Sequence, residues 1–329
     1  MGHGLGDIVA LTRCARLSVG LPGAVAYGCR MLGALTRTYE GEVAPIVGRL
    51  ISDLDQRTRV DSALRAMSTK IAMVMLSYAR LVGCEEQVEL AALAGAATRL
   101  YDDLVDASTD SSLDDRLSDL FSDRPFTPDG ELEALLGELV GEIRQKLDPR
   151  HGHPADAALN ALHEYQCLSR WQREDGVPLA VLEKISRGKG AMAHLTLCSL
   201  VNPDLDAEEQ DLVMALGEQF QALDDYMDVE QDVLNGVATL ASLGVTTLTD
   251  IGSRMSVLRD RAAARYGRSA TRPYCGLIFF LLIKAAVGRR LPVLGRITRR
   301  LAAGSTAFTF LVRGADAVAA APGSGGRTR

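Results

Sequence analysis

None of the six cysteines (Cys14, Cys29, Cys84, Cys167, Cys198, Cys275) forms a CxxC pair. In a chain of 329 residues, cysteines so scattered read as reduced thiols, which excludes a disulfide framework or a zinc knuckle. Long hydrophobic runs are missing too. The most apolar stretch, Gly276 to Ile283, ends at Lys284 and is far too short to span a bilayer. The N-terminus shows no export signal, because Asp7 and Arg13 interrupt its apolar stretch, and the MGHGLG start lacks the Ser or Thr of a myristoylation site. The expected location is the cytoplasm. No surplus of positive charge exists either: 36 Lys and Arg against 42 Asp and Glu leave a net charge of −6, which disfavours general nucleic-acid binding. Aromatic residues are few, at 5%, and those at helical spacing are assigned to core.

Alternating β-branched stretches are also scarce, and what fills the chain is Ala, Leu, Glu, Arg and Met. The spacing predicts helices over Val60 to Val82, Val88 to Val105, Glu131 to Leu147, Ala155 to Arg173, Leu179 to Leu200 and Ala207 to Asp232. Ser108 to Arg124 reads as polar, acidic punctuation before Pro125, Pro128 and Gly130. No internal repeat and no long linker is found. The expectation is an all-α, single-domain bundle over 46–315, with an N-terminal helical extension (1–45) and a disordered tail (316–329). Charge is uneven: eight acids face one base from Asp102 to Asp123, and twelve bases face one acid from Arg254 to Arg300. Most of these residues belong to solvated helix faces.

Two segments depart from that bland pattern. They are Asp102-Asp103-Leu104-Val105-Asp106, and Asp224-Asp225-Tyr226-Met227-Asp228 followed by Asp232. Helical spacing of four puts Asp102 and Asp106 on one face, about 6 Å apart, and likewise Asp224, Asp228 and Asp232. Like charges so placed destabilise a helix. Both clusters end apolar helices (LAALAGAATRLY and LVMALGEQFQAL), so a cation is expected there. Hard carboxylate oxygens without His or Cys suit Mg²⁺, which shares its shell with phosphate oxygens. An EF-hand is excluded by the absence of the D-x-D-x-D-G ligand order.

These motifs resemble the first and second aspartate-rich motifs of trans-isoprenyl diphosphate synthases and related class I terpene synthases. Phe220-Gln221-x-x-Asp224-Asp225 is similar to the family's FQxxDDxxD form. Ile185-Ser186-Arg187-Gly188-Lys189-Gly190 resembles the Lys-Thr diphosphate-binding segment, with Gly190 in place of Thr. Asn235-Gly236-x-x-Thr239-Leu240 resembles the stretch after the second motif. The likeness runs from about residue 60 to 245. It implies the isoprenoid synthase bundle around a central apolar cavity, with three Mg²⁺ ions held by Asp102, Asp103, Asp106, Asp224, Asp225 and Asp228 and gripping a prenyl diphosphate. Elongating members carry GGKRxRP before the first motif and an Arg pair after it. Here the corresponding stretches are Arg65-Ala66-Met67-Ser68-Thr69-Lys70-Ile71, and Ala-Ser-Thr-Asp-Ser-Ser-Leu-Asp-Asp after Asp106. The residues that ionise an allylic diphosphate are present; those that hold a second diphosphate are not.

The implied activity is ionisation and cyclisation of a prenyl diphosphate, with Asp102, Asp224 and Lys189 in the catalytic roles. Two other readings remain: a trans-prenyltransferase, and a non-catalytic helical partner subunit. Lys189, Arg187 and Gln221 are candidates for the substrate site, with Arg265-Tyr266 as a pair closing over the diphosphate and Phe220 as a ring facing a carbocation. In the resembling family, the positions of Ala97 and Thr98 form the pocket floor. Their small side chains point to geranylgeranyl diphosphate and a diterpene. A homodimer would fit the family. Arg99 is expected to neutralise its own cluster, His163 and His194 to be core, and His151 and His153 to be loop.

Overall fold

The structure, a computed structural model, describes residues 19–108, 110–147 and 154–290, with side chains up to 283. Among the described residues every regular element is a helix. In chain order these are α1 (Leu21–Thr38), α2 (Ala44–Leu50), α3 (Leu54–Val82), α4 (Val88–Ala107), α5 (Ser111–Phe121), α6 (Glu131–Lys146), α7 (Pro154–Leu168), α8 (Leu179–Val201), α9 (Ala207–Met227), α10 (Val229–Leu234), α11 (Leu248–Tyr266) and α12 (Arg268–Arg290). A π-turn (Tyr39–Val43) joins α1 to α2, and a 3₁₀ segment (Ser169–Arg173) follows α7. No helix among the described residues is long and apolar enough to cross a membrane. The tail at 316–329, the part of the expected domain beyond 290, and His151 and His153 lie outside the described residues.

Local chemistry sets the helix ends. Asp53 caps α3 by accepting from the Gln56 N–H at 2.6 Å, and Gly83, at φ 79°, stops it in a left-handed conformation. Asp206 caps α9 through the Glu209 N–H at 2.9 Å. A reciprocal Thr247–Asp250 capping box starts α11.

Three boundaries differ from expectation. The acidic stretch after Ser108 holds α5, because Leu113, Leu117, Leu120 and Phe121 fall on one buried stripe within its polar composition. The expected helix to Asp232 breaks at Asp228, whose φ of −95° and ψ of 6° end α9 inside the second motif. Asp224, Asp228 and Asp232 therefore do not share one straight helix face, although the Asp228 and Asp232 amides still donate back four residues, at 3.0 and 2.8 Å. Finally, the division at residue 45 falls inside α2, and α1 gives Tyr27 and Leu35 to the same core as α3 and α4.

Two helical hairpins position the candidate site: α3–α4, and α8–α9. Each is pinched by a small-residue crossing. A Cβ on Gly95 would lie 2.6 Å from the Ser68 Cα, and the Ser68 hydroxyl donates to the Ala92 carbonyl at 2.7 Å. A Cβ on Gly190 would lie 2.4 Å from the Gly217 carbonyl oxygen, and one on Gly217 would lie 2.2 Å from that of Gly190. The Gly190 that departs from the family's Thr is thus required by packing. In both hairpins the first aspartate of the motif comes seven residues after the pinching glycine, Gly95 to Asp102 and Gly217 to Asp224. Two helical turns, about 10 Å, separate crossing from cluster. The repeat G-x6-DDxxD escapes notice in the sequence because only the glycine and the aspartates match.

The hairpins meet along α3 and α8 and exchange core side chains. Leu197 and Leu200 of α8 belong to the core cluster built mainly on α1 to α6. Tyr78 and Leu81 of α3 belong to the cluster built on α9, α11 and α12. The Tyr78 hydroxyl donates to the buried Glu209 carboxylate at 2.6 Å. This interlock fixes the two motif-bearing helix ends relative to each other.

Candidate active site

Both motifs sit at helix C-termini, where the backbone dipole already presents partial negative charge. Six acidic side chains gathered there need cations. The protein supplies two lysines, one from each hairpin. Lys70, on α3 of the first hairpin, places its Nζ 3.2 Å from Asp224 Oδ1 of the second. Asp224 raises the Lys70 pKa, and Asp228 and Asp102 add to this against its burial. Lys189, on α8 of the second hairpin, lines the cavity and opposes the raised pKa of Asp102 of the first hairpin as it does that of Asp225 of its own. The site is an open cleft: solvent reaches 45% of the Lys70 side chain and 47% of Asp224.

The individual carboxylates differ. Asp102 is pushed up to about 7, first by burial in the cleft and then by Asp106 and Asp224, with Lys189 and Arg99 opposing. Asp103 is clamped by Arg99, Nε to Oδ2 at 3.0 Å and Nη2 to Oδ1 at 2.7 Å. Asp225 accepts from Gln221 Nε2 at 2.7 Å and from the Ser186 hydroxyl at 2.8 Å, while burial raises its pKa. Asp232 is raised to about 6 by burial and by Asp225 and Asp228, and accepts from the Thr239 hydroxyl at 3.4 Å.

A cavity of about 220 Å³ opens between these groups. Asp106, Asp224, Asp225, Asp228 and Asp232 form one wall. Lys189, Ser186, Gln221, Ser169, Gln172 and Arg173 form much of the rest. The lining is polar, so this is the charged mouth of a site rather than the apolar chamber expected from the resemblance. A larger groove of about 400 Å³ lies between α2 and α3, beside Arg57, Asp61 and Arg65. Its charges are already paired: Arg65 meets Glu40 and Asp61 and stacks over Tyr39. It carries no motif residue.

The structure brings together Asp102, Asp106, Asp224, Asp225, Asp228, Lys189 and Gln221, with Asp103 at the edge on Arg99. It does not bring Arg265 and Tyr266 to them. Arg265 is bound by Asp206, Glu208 and Glu209 at the start of α9, while Asp224 lies at its end. Eighteen residues of helix separate Asp206 from Asp224, about 27 Å. Charge complementarity with the helix's first turn is what draws Arg265 there. Arg187 also turns away, to Glu218 and Glu183 on the exposed face of α8. Phe220 packs edge-on against His194, with ring centroids 5.1 Å apart. Ala97 is packed into the first core cluster, and the Thr98 hydroxyl donates back to the Ala94 carbonyl at 2.8 Å. Trp171 is exposed.

Lys70 is the residue sequence reasoning missed. It is the lone charge between Arg65 and Arg80 in a long helix, but nothing local points to its partner 154 residues away. Ser186 and Arg173 were likewise given no role. Elsewhere, Asp114, His163 and Cys167 bring possible ligand atoms within 4.8 Å of one another. Their bonding is already committed. Arg170 chelates Asp114 at 2.5 and 2.7 Å, His163 meets the Tyr101 hydroxyl and the Asp114 carbonyl at 3.0 and 3.1 Å, and burial pushes the thiol up to about 11. This network braces Tyr101, the neighbour of Asp102, against the 3₁₀ segment that walls the cavity.

The chain matches no protein-family model and no curated protein.

Proposed function

We propose that the chain is a class I terpene synthase, which ionises and cyclises a prenyl diphosphate with the help of Mg²⁺. The observation that carries this reading is the convergence of two DDxxD helix ends on one polar cavity, with Lys189 in its lining and Lys70 reaching across from one hairpin to the other's Asp224. The donor set fits Mg²⁺. It is all oxygen and over-supplied with negative charge, and neighbouring carboxylates add to the burial that pushes Asp102 up to about 7 and Asp232 up to about 6. Asp102, Asp106, Asp224, Asp225 and Asp228 would hold the ions, with Asp103 able to join on leaving Arg99. Bound Mg²⁺ would supply the positive charge that makes diphosphate a good leaving group.

The chain's own residues do the rest. Gln221 and Ser186 fix the direction of Asp225. Lys189 stands on the cavity wall, where its ammonium can donate to diphosphate oxygens as charge builds on them. The cation left on the prenyl chain must be kept from water while its own double bonds attack it. The apolar residues one turn or so before each cluster, Ala97 on α4 and Phe220 on α9, are packed into the cores of the two hairpins and would have to line the path of the prenyl chain.

Arg65 faces Glu40 and Asp61 and leaves no basic pair for a second diphosphate, which supports cyclisation over chain elongation. Small residues at Ala97 and Thr98 favour a long substrate, since each buried CH₂ favours binding by about 0.8 kcal/mol where space exists. The substrate proposed is geranylgeranyl diphosphate. The test is incubation of the purified protein and Mg²⁺ with C10, C15, C20 and C25 prenyl diphosphates, followed by mass analysis of hexane extracts. A C20 hydrocarbon or alcohol is expected. Full activity in excess EDTA, or efficient extension by isopentenyl diphosphate, overturns the reading.

A further inference from the structure

Lys70 has no assigned part in the chemistry above, yet it reaches the second aspartate cluster. Its Nζ lies 3.2 Å from Asp224 Oδ1, within the influence of Asp228 and Asp102. It comes from the opposite hairpin, so the contact bridges the two hairpins. The other aspartate of the pair, Asp225, is already fixed by the neutral donors Gln221 and Ser186. Asp224 is the member whose contact with an ammonium must be broken before a metal ion can take that oxygen. The Lys70 side chain is 45% exposed, and a lysine's four-carbon stem is flexible. It can swing clear without disturbing the core. Once displaced, its ammonium is left beside a bound cation and needs an anion.

We propose that Lys70 is a tethered cation that bridges the second aspartate cluster in the ligand-free protein and transfers to the diphosphate when metal takes its place. The inference rests on the proposed Mg²⁺–diphosphate reading and gives that site a binding order. Metal alone must displace Lys70 and strand it. Metal with diphosphate satisfies every charge at once. The two ligands therefore bind cooperatively, and by linkage each raises the affinity of the other equally.

The test uses the whole protein, Mg²⁺ and inorganic diphosphate, with affinities from calorimetry and thermal melts. The wild type should bind Mg²⁺ weakly alone and far more tightly with diphosphate. In Lys70→Met, Mg²⁺ alone should bind about fivefold tighter, the scale of a half-exposed ion pair. Diphosphate at saturating Mg²⁺ should bind about fivefold weaker, and the cooperativity should shrink. Lys70→Arg keeps the charge and should keep the wild-type pattern. Opposite signs for the two ligands separate this role from structural damage, which would weaken both. If Lys70→Met weakens both, or leaves Mg²⁺ affinity unchanged while the wild type binds cooperatively, the role of Lys70 falls and the site reading stands. If the wild type binds neither Mg²⁺ alone nor Mg²⁺ with diphosphate, both fall together.

Discussion

At the end of α4, Asp102 is buried, with Lys189 and Arg99 opposing Asp106 and Asp224 but no hydrogen bond fixing it among the described residues, and Asp103 is spent on Arg99 of its own helix. At the end of α9, Asp225 is held by an amide and a hydroxyl, and Asp224 by a lysine from the other hairpin. The two clusters share a pentapeptide pattern and the same seven-residue offset from a pinching glycine. They differ in what the neighbouring helix offers. Ser186 of α8 faces its own hairpin's cluster, whereas Lys70 of α3 reaches past its own cluster to the other. The second cluster is pre-organised; the first is left electrostatically incomplete. Identical motifs thus acquire different hydrogen-bond and ion-pair partners from their surroundings alone.

The strongest way to break this comparison is to remove one carboxylate from each side. Asp102→Ala and Asp224→Ala should each lower turnover of a prenyl diphosphate by at least about a hundredfold, the scale of a major electrostatic element. Asp103→Ala, whose carboxylate is committed to Arg99, should lose about tenfold or less. Equal losses at Asp102 and Asp103 would show that Arg99 releases its partner during turnover.

The hairpin geometry offers a second test. Gly190→Thr installs the residue usual in the resembling family, but its Cβ would meet the Gly217 carbonyl at 2.4 Å. Overpacking of this kind costs about 2 kcal/mol. A drop in Tm together with weaker Mg²⁺–diphosphate binding is expected. An unchanged Tm would mean that α8 and α9 do not cross so closely.

Ser186→Ala removes one of two neutral donors to Asp225. Loss of a group that orients a metal ligand typically weakens binding by about tenfold. Calorimetry with Mg²⁺ and diphosphate reads it, and no change would argue against pre-organisation of the second cluster.

Asp102 and Asp232 give a pH signature. Their folded pKa values, about 7 and about 6, lie above the unfolded value of about 3.9. Such groups favour the folded state when protonated. Their contribution is full below pH about 4 and is lost as pH rises through 6 to 7. Tm of the protein without ligands should fall across that window. The gain in Tm on adding Mg²⁺ and diphosphate should grow across the same window, because protons compete with metal. A gain independent of pH from 5 to 8 would show that protonation of these two carboxylates does not compete with metal.

The smallest effect at the site should come from Arg265→Gln. It breaks the contacts with Asp206, Glu208 and Glu209 at the far end of α9 and should lower Tm. Diphosphate affinity should not move. A large loss of affinity would return Arg265 to the site.

Helix content, the apolar character of α4 and both aspartate clusters were legible in the sequence, because periodicity, propensity and charge repulsion are local properties. Even there the acidic composition of α5 hid its buried stripe, and the break at Asp228 left no mark among residues that all favour helix or turn. Roles that depend on a partner far along the chain were legible only where a motif carried them. Lys189 could be named because it sits in a recognisable segment. Lys70 could not, since its partner is 154 residues away. Arg265 was misplaced for the converse reason: a common dipeptide gave it a role, and the carboxylates that hold it are 56 to 59 residues upstream.

By itself, then, the sequence determined a helical chain with two carboxylate pairs whose mutual repulsion demands a cation. Tertiary structure alone decided which cation stands in front of which carboxylate. A charge acts through space on whatever packing brings within a few ångströms, and here two small-residue crossings and the α3–α8 interlock set Lys70 of one hairpin against Asp224 of the other and Lys189 among the aspartates of both.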